Sequence, residues 1–429
     1  MATLTTGKAA EVLFENAVET HEHQMSLLPL VDFFEPDSGD MQNAGNFIWR
    51  PAQQHAPVIS GWDMTGSEMG VIEETYPAVL GTPSNDIIEL RADDMRDPGF
   101  WERRGKESGR KQSTTLNKAI ATAIYNTGSL FYQTNATSGY DAIAEAQTIM
   151  NERQKLMADP RYMLLNDRDN LKYSKDLASR ETIQGRPENT WGTGMVGENI
   201  AGFDKVLTGS FLSTLTGGAA STTTTAAVSD APSGGTVNSS TGVVTNTDYR
   251  ESSSIAVTSS ASFSVGDRVS FTTSGAAVVE SLALSDKTPT GQAMTFTITS
   301  IPDGTHVVVY PKPIALDDAA LSTLEAAYAN INTQIDSGAT MTRLNTTASA
   351  KVNAFWCKSS IEVLGGDIPM GMLKEFGGMK VISTTMSNGQ KMYMAYDGNI
   401  KTLQFTCRLF TWYGITNKDP SANGIFTTT

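Results

Sequence analysis

Residues 8–20 alternate apolar and acidic positions with a helical period. Ala9, Val12, Leu13, Ala17 and Val18 fall near one face, and Glu11, Glu15 and Glu19 repeat every four residues on another. Leu27-Leu28-Pro29-Leu30 ends the pattern. One such helix cannot bury its apolar stripe alone, so the spacing predicts an arm that docks on something else. Residues 50–82 keep no period for long. Pro51, Pro57, Gly61, Gly66, Gly70, Pro77, Gly81 and Pro83 cut them into short alternating pieces, which predicts a long two-stranded excursion. Residues 98–131 form the longest helical stretch. Its first half, from Glu102 to Lys111, is polar all round and holds Gly105 and Gly109; its second half gains an apolar face at Leu116, Ile120, Ile124 and Tyr125. A helix polar all round is expected to be exposed or bridging, and the two glycines weaken it.

Residues 139–179 read as helix, strand, helix. Ile143, Ala146, Ile149 and Met150 mark a core face, Tyr162 to Leu165 a short strand, and Asn166 an N-cap for the helix carrying Leu171 and Leu177. This is α/β texture. From about Thr216 to Ser262 the chain turns rich in Ser, Thr, Gly and Ala, and strand-like runs follow: Ser254–Thr258, Arg268–Phe271, Met294–Ile298 and His306–Tyr310. Gly266-Asp267 and Pro302-Asp303-Gly304 are turn signals between them. Short, evenly spaced strands predict a small barrel or sandwich. Mixed α/β texture returns after about Asn345, so a β module is expected inside a larger α/β fold.

Composition narrows the function. At 429 residues the chain is long enough for two or three domains. No apolar run approaches the roughly 20 residues that span a bilayer, and the N-terminus lacks the pattern of a signal peptide, so membrane partners are not expected and cytoplasmic synthesis is. The two cysteines, Cys357 and Cys407, show no metal-ligand spacing and read as buried thiols. A net charge of −14 argues against gripping nucleic acid, though not against enclosing it behind a mildly repulsive wall.

Candidate chemistry is thin. Gly192, Gly194 and Gly197 have dinucleotide-loop spacing, but no apolar strand precedes them. His21 and His23 point to different sides of a helix and do not converge on a metal. Asp93, Asp94 and Asp97 alternate with Arg91 and Arg96, a pattern of ion pairs in a structural joint and not of an acid–base pair. Asp317-Asp318, after a Pro-Lys-Pro turn, reads as a capping or turn element. No catalytic or cofactor motif is visible, so the chain reads as structural. A surface adhesion or decoration protein, suggested by the Ser/Thr-rich β module, stays open, as does an α/β enzyme.

Several blocks carry a resemblance: Ile48-Trp49-Arg50-Pro51, Gly61-Trp62-Asp63, Asn85 through Asp97, Ala201-Gly202-Phe203-Asp204, Gly266 through Phe271, Asp303 through Val307, Pro311 through Asp318, Tyr328 through Thr333, and Trp412-Tyr413-Gly414. In order and spacing the chain resembles the major coat proteins of short-tailed, double-stranded-DNA phages of the Salmonella phage P22 type. The resemblance implies an α+β, Hong Kong 97-type capsid fold with an inserted all-β barrel. On that pattern, 1–32 is an N-terminal arm, and 33–137 is a P-domain part with an E-loop (50–82) and a spine helix (98–131). The first part of an A-domain follows at 138–216, the inserted barrel with a mobile loop near 231–251 at 217–345, and the A- and P-domain return at 346–429.

The resemblance further implies a non-enzymatic protein without cofactors. It would assemble with itself into pentamers and hexamers of an icosahedral T=7 shell around double-stranded DNA, helped by a scaffolding protein and joined by a portal. Assembly would take place in the host bacterial cytoplasm. The family's scaffold-binding acids map to Glu15 and Glu19, the first an aspartate in the family; Glu11 adds charge. The loop that bridges capsomers in the family is poor in charge here. Only Asp230, Asp248, Arg250 and Glu251 could form ion pairs, so hydroxyl contacts or Val243 and Val244 are expected to substitute.

Overall fold

The computed structural model describes residues 6–36, 46–63, 65–66, 68–91, 99–134, 139–153, 159–179, 198–212, 214–232, 236–237, 244–245, 247–368, 380–399 and 404–428. The chain divides into two compact units. The first comprises Met1–Ile48, Ala78–Ile120 and Glu362–Thr416; the second comprises Trp49–Pro77, Ala121–Ile361 and Asn417–Thr429.

The first unit is built on a four-stranded antiparallel sheet, ordered Lys380–Thr385, Lys391–Asn399, Gln404–Thr411, Ser84–Arg91. Alternation along the strands turns Ile88, Leu90, Phe405, Cys407, Leu409, Met392 and Met394 into one core. Burial in this core pushes the Cys407 thiol up to about 12. Helix α1, Thr6–Gln24, lays Ala9, Ala10, Leu13, Phe14 and Ala17 into the same core, beside Trp101 from helix α2, Phe100–Thr127. The arm therefore buries its stripe on its own chain, and it is longer than the 8–20 predicted.

Helix α2 departs from its expectation in three ways. It ends at Thr127, and Leu130–Thr134 is already a strand. Its polar side chains are not exposed all round: Ser108 in the first half, and Gln112, Ser113 and Asn117 after it, are buried. Polar side chains of α2 find partners on other segments of this unit. Gln112 Nε2 donates to the Ser84 carbonyl (3.2 Å), Asn117 Oδ1 accepts from Leu27 N (3.1 Å), and Arg104 Nη2 grips both carboxylate oxygens of Asp86 (2.8 and 2.9 Å). Gly105 and Gly109 face the arm. A Cβ on either would lie closer than 3.0 Å to the Leu13 or the Ala17 carbonyl oxygen, so the two helix backbones touch where side chains would hold them apart.

The second unit holds a mixed sheet ordered Leu130–Thr134, Asn423–Thr428, Ser349–Cys357, Arg161–Leu165, Phe203–Thr208, Glu198–Ile200, with Leu215–Thr216 pairing off Ser349–Cys357. Helix α3, Tyr140–Glu152, buries Ala142, Ile143, Ala146 and Met150 against this sheet, and helix α4, Asp167–Ser179, adds Tyr173. Asn166 Oδ1 accepts from Arg168 N (3.1 Å), as an N-cap does. Leu171 is exposed, because the buried side of α4 is lined by Asp169, Asn170, Tyr173 and Ser174.

Also in this unit is a six-stranded antiparallel sheet with its own core. The order is Ser221–Thr223, Thr340–Arg343, Arg268–Thr272, Phe296–Asp303, His306–Tyr310, Ile255–Ala256. Its first and last strands meet through the Thr224–Val257 bridge, with Thr225 N donating to Ala256 O (2.9 Å) and Thr258 N to Thr223 O (2.8 Å). Fully buried Arg268 donates to the Tyr125 carbonyl (2.6 Å), and Thr297 Oγ1 donates to the Gly128 carbonyl (2.6 Å). The first fills a carbonyl that the last turn of α2 leaves without a helical partner, and the second fills the carbonyl of the residue just past it. Burial lowers the Arg268 guanidinium to about 10.

Phe47–Pro51 and Thr75–Val79 pair as two legs running in opposite directions, bracketed by Leu80 N to Asn46 O and Ala52 N to Glu74 O (both 2.8 Å). Between the legs the described residues form no strand. Among the described residues of the loop near 231–251, Thr236–Val237 pairs with Val244–Thr245 and Asp248 bridges to Thr75.

Candidate functional site

On α1 the acidic row survives docking. Glu11, Glu15 and Glu19 are exposed while Leu13 and Ala17 beside them are buried. The four-residue repeat puts all three carboxylates on one solvent-facing stripe. Glu19 also sits 4.0 Å from His23. His21 is fully buried against Gln390 (3.3 Å), which separates the two histidines as their spacing requires; burial lowers its pKa, partly offset by the Gln390 hydrogen bond.

The excursion between the two strand legs presents apolar side chains to solvent. Val58 is 92 % exposed, Trp62 fully so and Val71 71 %, with Ile59 and Met69 less. Exposed large hydrophobics gathered on one segment mark an interaction surface. The base of the excursion is held: His55 N donates to the Tyr328 hydroxyl (3.2 Å), which donates to the Ile72 carbonyl (2.9 Å). At its tip Asp63 accepts from the Thr65 hydroxyl (2.6 Å) and amide (3.0 Å), bonds that hold its carboxyl below the usual range.

Asp230, Asp248 and Arg250 are engaged inside the chain. Arg250 forks onto Asp248 through Nε (2.8 Å) and Nη2 (2.7 Å), donates to the Asn417 carbonyl (2.5 Å), and lies over the rings of Tyr76 and Tyr310. Burial opposes its charge, but the hydrogen bonds and charge of Asp248 outweigh that and raise its pKa. Tyr310 adds a bond to Asp248 (3.2 Å), Tyr249 Oη donates to the Lys418 carbonyl, and Tyr249 N donates to the Thr75 carbonyl (3.0 Å). Asp230 accepts from Ser253 N (2.9 Å). Glu251 remains exposed; partial burial, then Asp248, raises its pKa. The i, i+2 spacing of Asp248 and Arg250 was the available signal for their pairing, since a turn brings such residues together.

Of the expected joint, Asp93, Asp94, Arg96 and Asp97 lie outside the described residues, as do Gly192, Gly194, Gly197 and Val243. Arg91 is exposed at the end of its strand, paired with Gln404 in the sheet register. The ion pair that joins strand to helix here is Arg104–Asp86, which the sequence reading missed. Asp318 is a turn acceptor, from Ala320 N (2.9 Å), whereas Asp317 reaches a distant segment and accepts from Gln334 N (2.8 Å). No helix among the described residues is long and apolar enough to cross a membrane. These features can bind; they present carboxylates, an indole and aliphatic side chains outward.

Comparison with solved structures finds distant matches. The capsid of cyanophage P-SCSP1u matches at 9 % identity and a TM-score of 0.45, over 93 % of this chain and 86 % of that one. The mature capsid of bacteriophage PhiM1 matches at 8 % and 0.41, over 93 % and 85 %. A virus-like particle from Pyrococcus furiosus matches at 8 % and 0.40, over 98 % of both chains. The decisive match is by sequence family, described as "P22 coat protein - gene protein 5", over residues 1–428. The chain thus belongs to the P22 coat protein family and is a phage major capsid protein, a structural subunit of the icosahedral shell.

Proposed function

We propose that the segments described above act as in a Hong Kong 97-type subunit. Residues 1–32 are then the arm, 50–82 the E-loop, α2 the spine helix, and 217–345 an inserted barrel whose sheet closes through Thr224 and Val257. Copies close into pentamers and hexamers of a T=7 shell of a short-tailed phage, with a portal at one vertex. Assembly runs in the bacterial cytoplasm, and DNA is enclosed without sequence-specific contacts. Heterologous contacts through outstretched segments suit such a lattice.

The observation that supports this reading best is the exposed row Glu11, Glu15 and Glu19 on a helix whose other side is fully docked. A basic segment of a scaffolding protein is its natural partner, held by charge and tuned by salt. The Asp248–Arg250 pair is committed within the chain, so contacts of the 231–251 loop with a neighbouring capsomer fall to Glu251, to hydroxyls and to main chain. The test is Glu15→Lys with Glu19→Lys in scaffold-directed assembly. The monomer should keep its circular dichroism and melting profile, while procapsid yield by sedimentation collapses. Normal yield from the double variant removes the arm from the scaffold contact.

A further inference from the structure

The second unit contains a cavity of about 380 Å³ that shell building leaves unexplained. Its volume lies in the range of small-molecule sites, about 300–1,000 Å³. Its lining includes Arg50, Arg153, Lys287, Lys312 and Lys418 beside the carboxylates of Glu74 and Asp419, and Lys287 Nζ donates to the Ala329 carbonyl (3.1 Å). Such a balance is unusual in a chain whose net charge is −14.

Arg153 is the informative residue. It caps the C-terminal end of α3 and is only 5 % exposed. Its guanidinium reaches the Met294 thioether (Nη1 to Sδ, 2.8 Å) and, at 3.5 Å, the Thr295 hydroxyl. A thioether is a weak acceptor, and among the described residues no carboxylate lies within ion-pair distance. Burial lowers this guanidinium to about 10, with only Glu152 opposing, so at neutral pH it stays charged in a desolvated place. A buried cation needs a compensating charge and hydrogen bonds to its planar fork.

We propose that the cavity is an oxyanion site that takes a small phosphate-bearing molecule, with Arg153 as its buried anchor. A phosphate group matches the guanidinium fork with two oxygens and leaves others for ammonium groups. Tyr76, Tyr249 and Tyr328 add aromatic surface to the wall, against which a base could pack if the phosphate arrives on a nucleotide.

The test is calorimetry and thermal melting of the unassembled full chain with pyrophosphate, inorganic phosphate, ATP and citrate, all at matched ionic strength against sodium chloride. Pyrophosphate or ATP should bind with one site per chain and raise the melting temperature, and citrate should bind more weakly. Tighter binding of ATP assigns the phosphate to a nucleotide, and equal or tighter binding of pyrophosphate to an inorganic source. Arg153→Met should weaken binding at least about tenfold, as loss of a charge-assisted bond does. Lys287→Gln, at the cavity wall, should weaken it by a smaller factor and gives the answer if the Arg153 variant does not fold. Melting unchanged from the chloride control, or binding left intact by Lys287→Gln and Arg153→Met, overturns the proposal.

Discussion

Gly109→Ala sets two effects of known size against each other. Alanine in a helix interior is favoured over glycine by about 1 kcal/mol, so α2 in isolation should gain. At Gly109, however, the added methyl meets the Ala17 carbonyl group and the His21 amide of α1, backbone atoms on a helix that cannot give locally. Overpacking of a filled contact costs about 1–3 kcal/mol. If α1 backs away instead, it withdraws Leu13 and Phe14 from their core, each worth about 1.5–3 kcal/mol when fully buried. It also strains the contact between His21 and Gln390. Even half of that packing loss exceeds the helix gain, so a net destabilisation of about 2 kcal/mol is expected, concentrated on the arm. Hydrogen exchange read by mass spectrometry on the unassembled chain measures it: amides of Thr6–Gln24 should exchange about 30-fold faster, while the sheet of the second unit is unchanged. Protection equal to or above wild type would show that propensity decides this glycine and that the close helix approach is not real.

Asp248→Ala leaves Arg250 buried without its partner and should lower unfolding free energy by about 3 kcal/mol in denaturant titration; a change under about 0.5 kcal/mol refutes a structural role for the pair. Trp62 is fully exposed, so Trp62→Ser should leave the stability of the isolated chain within about 0.5 kcal/mol of wild type. Assembly followed by light scattering should nonetheless slow markedly; unchanged kinetics would mean the indole meets no neighbour.

The sequence was most readable where a pattern is local. The period of α1, the Asn166 cap, and the turns at Gly266-Asp267 and Pro302-Asp303-Gly304 all lie within a few residues of what they specify. It was least readable where meaning depends on a distant partner. Gly105 and Gly109 read as weakness, because the helix they accommodate lies about 90 residues upstream. The polar run of α2 read as exposed, because the acceptors for Gln112 and Arg104 sit on a strand that precedes it. The charges at 248–251 read as contacts to a neighbour, whereas in the structure Asp248 and Arg250 pair within the chain and Glu251 stays exposed. Only the fold reveals that Asn417, Tyr76 and Tyr310 enclose Arg250.

A shell subunit must solve folding and association with the same elements, and α1 shows how the two are kept apart. Leu13 and Glu15 are two residues apart, about 200° around a helix, so one lies in the core and the other faces water. The core-facing positions set whether the monomer folds. The carboxylates are fully hydrated in the monomer, so they add little to its stability and stay available to a partner. The excursion follows the same division lengthwise: its base is pinned by Tyr328, and its tip leaves Trp62 uncovered. Association can then be tuned by salt and by partner charge without altering the stability of the subunit, which a lattice assembled from many identical copies requires.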